Sequence, residues 1–197
     1  MKGLVGHGGG QGDVDGDGSG DACDSCSAGA SLLSAKLRPA GVSADEGAES
    51  ARYNSTLEFA DPLDLALEET GLSLSVHDAR DVPVLEVLMP PGAHDGEFGG
   101  WRANRSGTRR HYATGPSSDG PQIRAVVRSY RHRPGVLKVT IHAENAMFPT
   151  AGMELPLRAT VQFTPPSGAT GERADAVFGE DLDECRPSAD GKRVTCG

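Results

Sequence analysis

From about Ser34 onward, apolar residues recur at every second position in short stretches that turn residues separate. Residues 52–59 place Tyr53, Leu57 and Phe59 on one parity, and Leu72, Leu74 and Val76 alternate with Ser73, Ser75 and His77. The same period runs through 84–89, through 122–131 with Ile123 and Val127, and through 136–143 with Val139 and Ile141. It returns in 155–163 with Leu157, Ala159, Val161 and Phe163, and more briefly in 109–113, 174–178 and 193–196. Successive strand side chains point to opposite faces, so this period is what a strand with one buried face shows. About nine such segments predict a mainly β fold, an antiparallel β-sandwich of two sheets.

Turn chemistry divides the segments. Pro134-Gly135 is the expected hairpin turn between 122–131 and 136–143, and Asp190-Gly191 the turn before the last strand. One interruption reads as helix. Asp61 and Pro62 suit the N-cap and first helical positions, LDLALEE follows, and Gly71 is the terminator. At about nine residues this helix is a connector rather than a core element.

Composition narrows the function. The chain has 197 residues, a net charge of −9, and 27 glycines with 13 prolines, enough apolar residues for one main core and no more. No apolar run approaches the ~18 residues of a membrane span, which speaks against a membrane-crossing helix. The acidic balance argues against binding a nucleic-acid backbone as a main task. Four cysteines, at 23, 26, 185 and 196, gather at the two ends, a distribution that points to stapling in an oxidising compartment. Residues 1–10, MKGLVGHGGG, lack the apolar stretch of a secretory leader. The expectation is therefore a fragment of a longer exported protein, extracellular or at the cell surface.

The chemistry concentrates near the N-terminus. Residues 13–24 read DVDGDGSGDACD and put Asp13, Asp15, Asp17, Asp21 and Asp24 at positions 1, 3, 5, 9 and 12 of a loop, with Gly18 at position 6. Oxygen ligands at alternating positions let an extended chain curl around one Ca²⁺. The glycine permits the sharp turn, and the carbonyl of Ser19 at position 7 adds a ligand. Five carboxylates this close repel one another without a cation, and a flexible cage of six to eight oxygens suits calcium better than magnesium or zinc. A solvated acidic linker shares this composition but has no need of the spacing. The flanks HGGGQG and CDSCSAG are not helices, which excludes an EF-hand.

The run DVDGDGSGDACDSC resembles the thrombospondin type 3 repeat over residues 11–27, whose usual form is an Asp-rich DxDxDGxGDxCDxC calcium loop. The resemblance implies a calcium-wrapped extracellular segment with little regular secondary structure, used as a stalk or spacer and associated with adhesion. Here the pattern occurs as a single repeat. Cys23 and Cys26 form C-x-x-C, for which a disulfide scaffold, a redox couple and half of a zinc site compete. No βαβ setting surrounds the pair, and Cys185 and Cys196 lack zinc-ribbon spacing. In the type 3 family such cysteines bond to neighbours in adjoining repeats. A bridge between Cys185 and Cys196 would pin the last strand.

The division that follows is residues 1–30, a Gly/Asp-rich segment with one calcium loop, and residues 31–197, the sandwich. The body also resembles an uncharacterised β-domain found beside calcium stalks in large exported bacterial proteins, through Trp101, Asn104, Gly107, Thr108 and Tyr112. That resemblance implies a surface or secreted sandwich and no known catalysis.

Two functions compete. The first is a non-catalytic calcium-binding structural or adhesion-type module, with the sandwich as spacer or contact domain for an extracellular protein or carbohydrate. The second is an exported carbohydrate-binding or hydrolytic sandwich using the 94–112 region: His94, Asp95 and Glu97, or Trp101 and Tyr112 as an aromatic platform. No GxSxG, HExxH, Walker or nucleotide fingerprint occurs, and adjacent pairs such as His77-Asp78 point to opposite faces of a strand. Trp101 and Tyr112 are expected in the core. Arg128, Arg131 and Arg133 are expected on solvent faces or guarding edges. The reading adopted is the first, with Ca²⁺ as the one ligand.

Overall fold

The computed structural model describes residues 31–40, 48–59, 65–117, 120–148, 154–163, 173–178, 185–187 and 194–196. The larger sheet is built from β1 (Ser31–Ala40), β2 (Ala48–Glu58), β5 (Gly99–Ala103), β6 (Arg109–Thr114), β7 (Gln122–Tyr130) and β8 (Arg133–Phe148). The smaller one contains β3 (Leu72–His77), β4 (Pro83–Met89), β9 (Leu157–Gln162) and β10 (Arg173–Phe178). Two three-residue strands, β11 (Cys185–Pro187) and β12 (Val194–Cys196), continue the larger sheet past β1. The orders are β11-β12-β1-β2-β8-β7-β6-β5 and β10-β9-β3-β4, antiparallel throughout, and the molecule is a mainly β sandwich.

The period-2 pattern explains the core. Tyr53 and Leu57 of β2, Ala125 and Val127 of β7, Val139 and Ile141 of β8, and Trp101 of β5 are all buried. Leu72, Leu74 and Val76 are buried from the smaller sheet, with Val87, Met89, Leu157, Ala159, Val161, Ala174, Ala176 and Phe178. Each large apolar side chain among these stabilises the fold by roughly 1.5–3 kcal/mol when withdrawn from water. Phe59 and Phe163 meet edge to face, with ring centroids 5.7 Å apart.

The described residues hold twelve strands, two of them three residues long, in keeping with the sandwich of about nine expected; β1 and β5 fall outside the expected set because they lack a sustained apolar alternation. Two local expectations are corrected. The helix α1 covers only Leu67–Thr70, with Ala66 as its N-cap. Leu65 and Ala66 are not helical, Ala66 lying at φ −82°, ψ 55°; Asp61 and Pro62 lie outside the described residues. Gly71 does end the helix, at φ +77°, its N–H donating to the Leu67 carbonyl over 3.0 Å.

Pro134-Gly135 is not the hairpin turn. Tyr130 pairs with Arg133, so Arg131-His132 reverses the chain. Since Ser129 pairs with Leu137, Pro134 and Gly135 form a bulge inside β8. Gly135 sits at φ +86°, and its carbonyl accepts the Phe59 N–H at 3.0 Å. The dipeptide locks β8 onto the end of β2 instead of turning it back.

Candidate functional site

The proposed calcium ligands Asp13, Asp15, Asp17, Ser19, Asp21 and Asp24 lie outside the described residues, as do Cys23 and Cys26. Among the described residues, no three His, Cys, Asp or Glu side chains form a group that could hold a metal.

The 94–112 region is ordered by its own hydrogen bonds. Asp95 Oδ1 accepts the N–H groups of Glu97 (3.0 Å), Phe98 (2.8 Å) and Gly99 (3.1 Å), closing the loop before β5. The Phe98 N–H acts most strongly to hold the Asp95 carboxyl below its usual range, against a smaller opposing effect of burial. Trp101 and Tyr112 are register partners, buried, with ring centroids 5.1 Å apart. The Trp101 Nε1–H donates to the Pro90 carbonyl over 3.1 Å. These rings belong to the core, as expected, and offer no exposed platform. In the hairpin turn, Asn104 Oδ1 accepts the Arg109 N–H at 3.0 Å and its Nδ2 donates to Ser106 Oγ at 2.9 Å. Of the residues carrying the second resemblance, Asn104 thus has a turn-forming role.

The remaining histidines are spread over separate elements. Asp78 is buried at the β3–β4 turn, where Oδ1 accepts from the Arg80 and Val82 N–H groups at 2.9 and 3.0 Å. Its Oδ2 is 3.1 Å from the Arg80 guanidinium. Burial alone would raise the Asp78 pKa, but the hydrogen bonds from Val82, Arg80 and Glu154 together outweigh it and lower it. Asp78 is a turn brace and not a partner of His77.

What the sequence pattern did not reveal is the outer face of the larger sheet. The off-core positions of β1, β2, β8, β7, β6 and β5 fall into register as transverse rows, of which the three central ones lie between a row with Glu144 (Ala40, Ser50, Glu144, Gln122) on one side and Glu58 of β2 on the other. One row runs Arg38, Arg52, His142, Arg124, Ala113, Gly100. The next runs Lys36, Asn54, Thr140, Val126, His111, Arg102. The third runs Ser34, Thr56, Lys138, Arg128, Arg109. At about 4.8 Å per strand, six strands carry a row about 24 Å across, with rows about 7 Å apart.

These three central rows hold Lys36, Arg38, Arg52, Arg102, Arg109, Arg124, Arg128 and Lys138, all exposed, and no carboxylate. Among the described residues none of these eight is ion-paired; the salt bridges involve Arg80, Arg110, Arg133 and His142. Arg38 faces Arg52, Arg128 faces Arg109, and Lys138 faces Arg128 directly across strand pairs. Like charges in such positions destabilise a sheet. Burial most, then the adjoining Arg109 and Arg102, push the His111 imidazole below its ordinary range. At the β1–β2–β8 end lies a shallow depression of about 350 Å³, lined by Ser34, Lys36, Arg38, Arg52, Asn54, Thr56 and Lys138 among others.

Arg128 therefore lies on a solvent face, as expected, with its guanidinium 5.0 Å from the centre of the Tyr130 ring. Arg131 is in the hairpin turn, and Arg133 reaches Glu58 at 3.4 Å. Among the described residues, no helix is long and apolar enough to cross a membrane. Comparison of the chain with protein-family models, with curated proteins and with solved structures gives no match.

Proposed function

We propose that this chain is a non-catalytic, extracellular calcium-binding module in which Ca²⁺ orders the Asp-rich loop and the β-sandwich serves as a rigid contact domain. The observation that carries the reading is the spacing of Asp13, Asp15, Asp17, Asp21 and Asp24 with Gly18 at the turn, a spacing that composition alone does not demand. Ser19 supplies a backbone carbonyl to the same cage. Two further features fit a structural, extracellular reading. Trp101 and Tyr112 are used for packing, and Asp95 for closing its own loop, so these groups serve structure. Cys185 and Cys196 are direct register partners on β11 and β12, a juxtaposition suited to a bridge in an oxidising compartment.

Calcium titration by calorimetry on the intact chain and on an Asp15→Ala, Asp17→Ala variant tests the loop. About one ion should bind, with an affinity of roughly 10⁻⁴ to 10⁻³ M as for extracellular modules, and the variant should not bind it. Absence of binding in the intact chain would rule out an autonomous site.

A further inference from the structure

The three basic rows bear on what the contact domain touches. We infer that the outer face of the larger sheet binds an acidic polysaccharide, carboxylated or sulfated. This rests on the contact role proposed above and is independent of the calcium loop.

Energetics make the first case. Folding gains nothing from setting Arg38 opposite Arg52, or Arg109 and Lys138 opposite Arg128. A chain of net charge −9 has enough carboxylates to interleave, yet the three central rows hold none: Glu144 and Glu58 stand only at the flanks, where they pair with His142 and Arg133 and with none of the eight cations. Basic residues that blunt an exposed edge belong on edge strands, whereas Arg52, Lys138, Arg124 and Arg128 lie on β2, β8 and β7, interior to the sheet. A local conflict of this kind, left unresolved by the fold, marks a surface completed by a counter-charged ligand.

The chemistry of the face selects the ligand. Within the middle row, between Lys36 on one side and Val126, His111 and Arg102 on the other, stand the amide of Asn54 and the hydroxyl of Thr140, with Thr140 Oγ1 donating to Asn54 Oδ1 at 3.1 Å. Ser34 and Thr56 add hydroxyls beside Lys36, Arg38, Arg52 and Lys138 around the depression. Its 350 Å³ falls at the lower end of the ~300–1,000 Å³ range of small-ligand sites. Guanidinium forks suit carboxylate and sulfate groups, and these neutral polar groups suit sugar hydroxyls. A single-stranded nucleic acid favours large exposed aromatic platforms for its bases, and the rows contain no Phe, Tyr or Trp, only the imidazoles of His142, which pairs with Glu144, and of half-buried His111; the nearby Tyr130 ring is engaged by Arg128. A sheet face about 24 Å across cannot enter the ~12 Å major groove of a duplex. A protein partner would be expected to meet apolar anchors, and the rows offer only Val126 and Ala113.

The test uses the full chain in EDTA, so that failure of the calcium reading leaves it unaffected. Binding is measured at about 50 mM salt, where surface charges still interact over ~10 Å or more. The probes are dextran sulfate, polygalacturonate, neutral dextran and a single-stranded oligonucleotide. At least one acidic polysaccharide should bind, the better of the two identifying sulfate or carboxylate as the preferred group, and neutral dextran should not. The variant Arg109→Ser, Arg128→Ser, Lys138→Ser should weaken binding about tenfold or more, while melting no lower than the parent because like-charge pairs are relieved. A control with Arg105→Ser, Arg131→Ser and Arg158→Ser, equal in charge, exposed and outside the rows, should stay within about twofold. Should the first variant fold poorly, Arg52→Gln with Arg124→Gln carries the same expectation. Binding no better than neutral dextran, equal loss in the control, undiminished binding in the well-folded row variant, or preference for the oligonucleotide would each overturn the proposal.

Discussion

Tyr53 brings its hydroxyl into the space between the sheets, where it is 1% exposed. Burial pushes its pKa up to about 12; the Ser55 hydroxyl opposes this in part and Asp175 adds to it. Ser55 lies close enough to matter, yet among the described residues neither hydroxyl meets a partner in good hydrogen-bond geometry. A buried unsatisfied hydroxyl costs about 1–3 kcal/mol, so Tyr53→Phe is expected to stabilise the protein by about 1 kcal/mol at neutral pH. The pH dependence has a definite sign. Because the folded phenol holds its proton more tightly than the unfolded one, its contribution is complete below pH 10 and is lost as pH rises through about 12. A rise from 10.0 to about 12 corresponds to a loss on the order of 3 kcal/mol once pH exceeds the folded value. Urea denaturation of the parent and of Tyr53→Phe at about pH 8 and about pH 11 should show the variant's advantage widening with pH. Asp78 has the opposite sense, since its lowered pKa gives stability that is present above the ordinary carboxylate range and lost as pH falls through the folded value.

Among the elements, the β7–β8 hairpin shows where local chemistry and tertiary context part. Pro134-Gly135 has the composition of a reversing turn, but pairing of Tyr130 with Arg133 closes the hairpin earlier and hands the dipeptide to a contact with Phe59. A Cβ at Gly135 would stand 2.5 Å from the Phe59 carbonyl oxygen at a φ of +86°. Gly135→Ala is therefore expected to destabilise by about 2 kcal/mol or more, visible as a lower denaturation midpoint with an unchanged slope. At the far end of the sheet, a Cys185–Cys196 bridge would close a short loop whose loss costs roughly 2–3 kcal/mol. Alkylation of the unfolded chain with and without prior reduction, followed by mass measurement, should show both thiols blocked until reduced. Strands with sustained alternation, such as β9 with Leu157, Ala159 and Val161, were legible because one face is wholly buried. β1 was not, since Leu32 and Leu33 remain 36% and 45% exposed and only Leu37 supplies a large inward side chain. The basic rows were illegible for a different reason. Their residues stand at ordinary solvent-facing positions, and only long-range pairing, such as Arg52 with His142, sets them side by side.

At the scale of the whole molecule, the sandwich separates two tasks. Its interior is filled from both sheets by alternating apolar side chains, while the outer face of the larger sheet collects cations that the overall charge conceals. Net charge belongs to the sequence and survives unfolding; the rows belong to the fold and do not. Unfolding leaves the chain at −9 but disperses eight cations along an expanded coil bristling with acids. A negatively charged chromatography bead should thus hold the native molecule and release the denatured one at the same pH and salt, making retention itself a readout of tertiary structure.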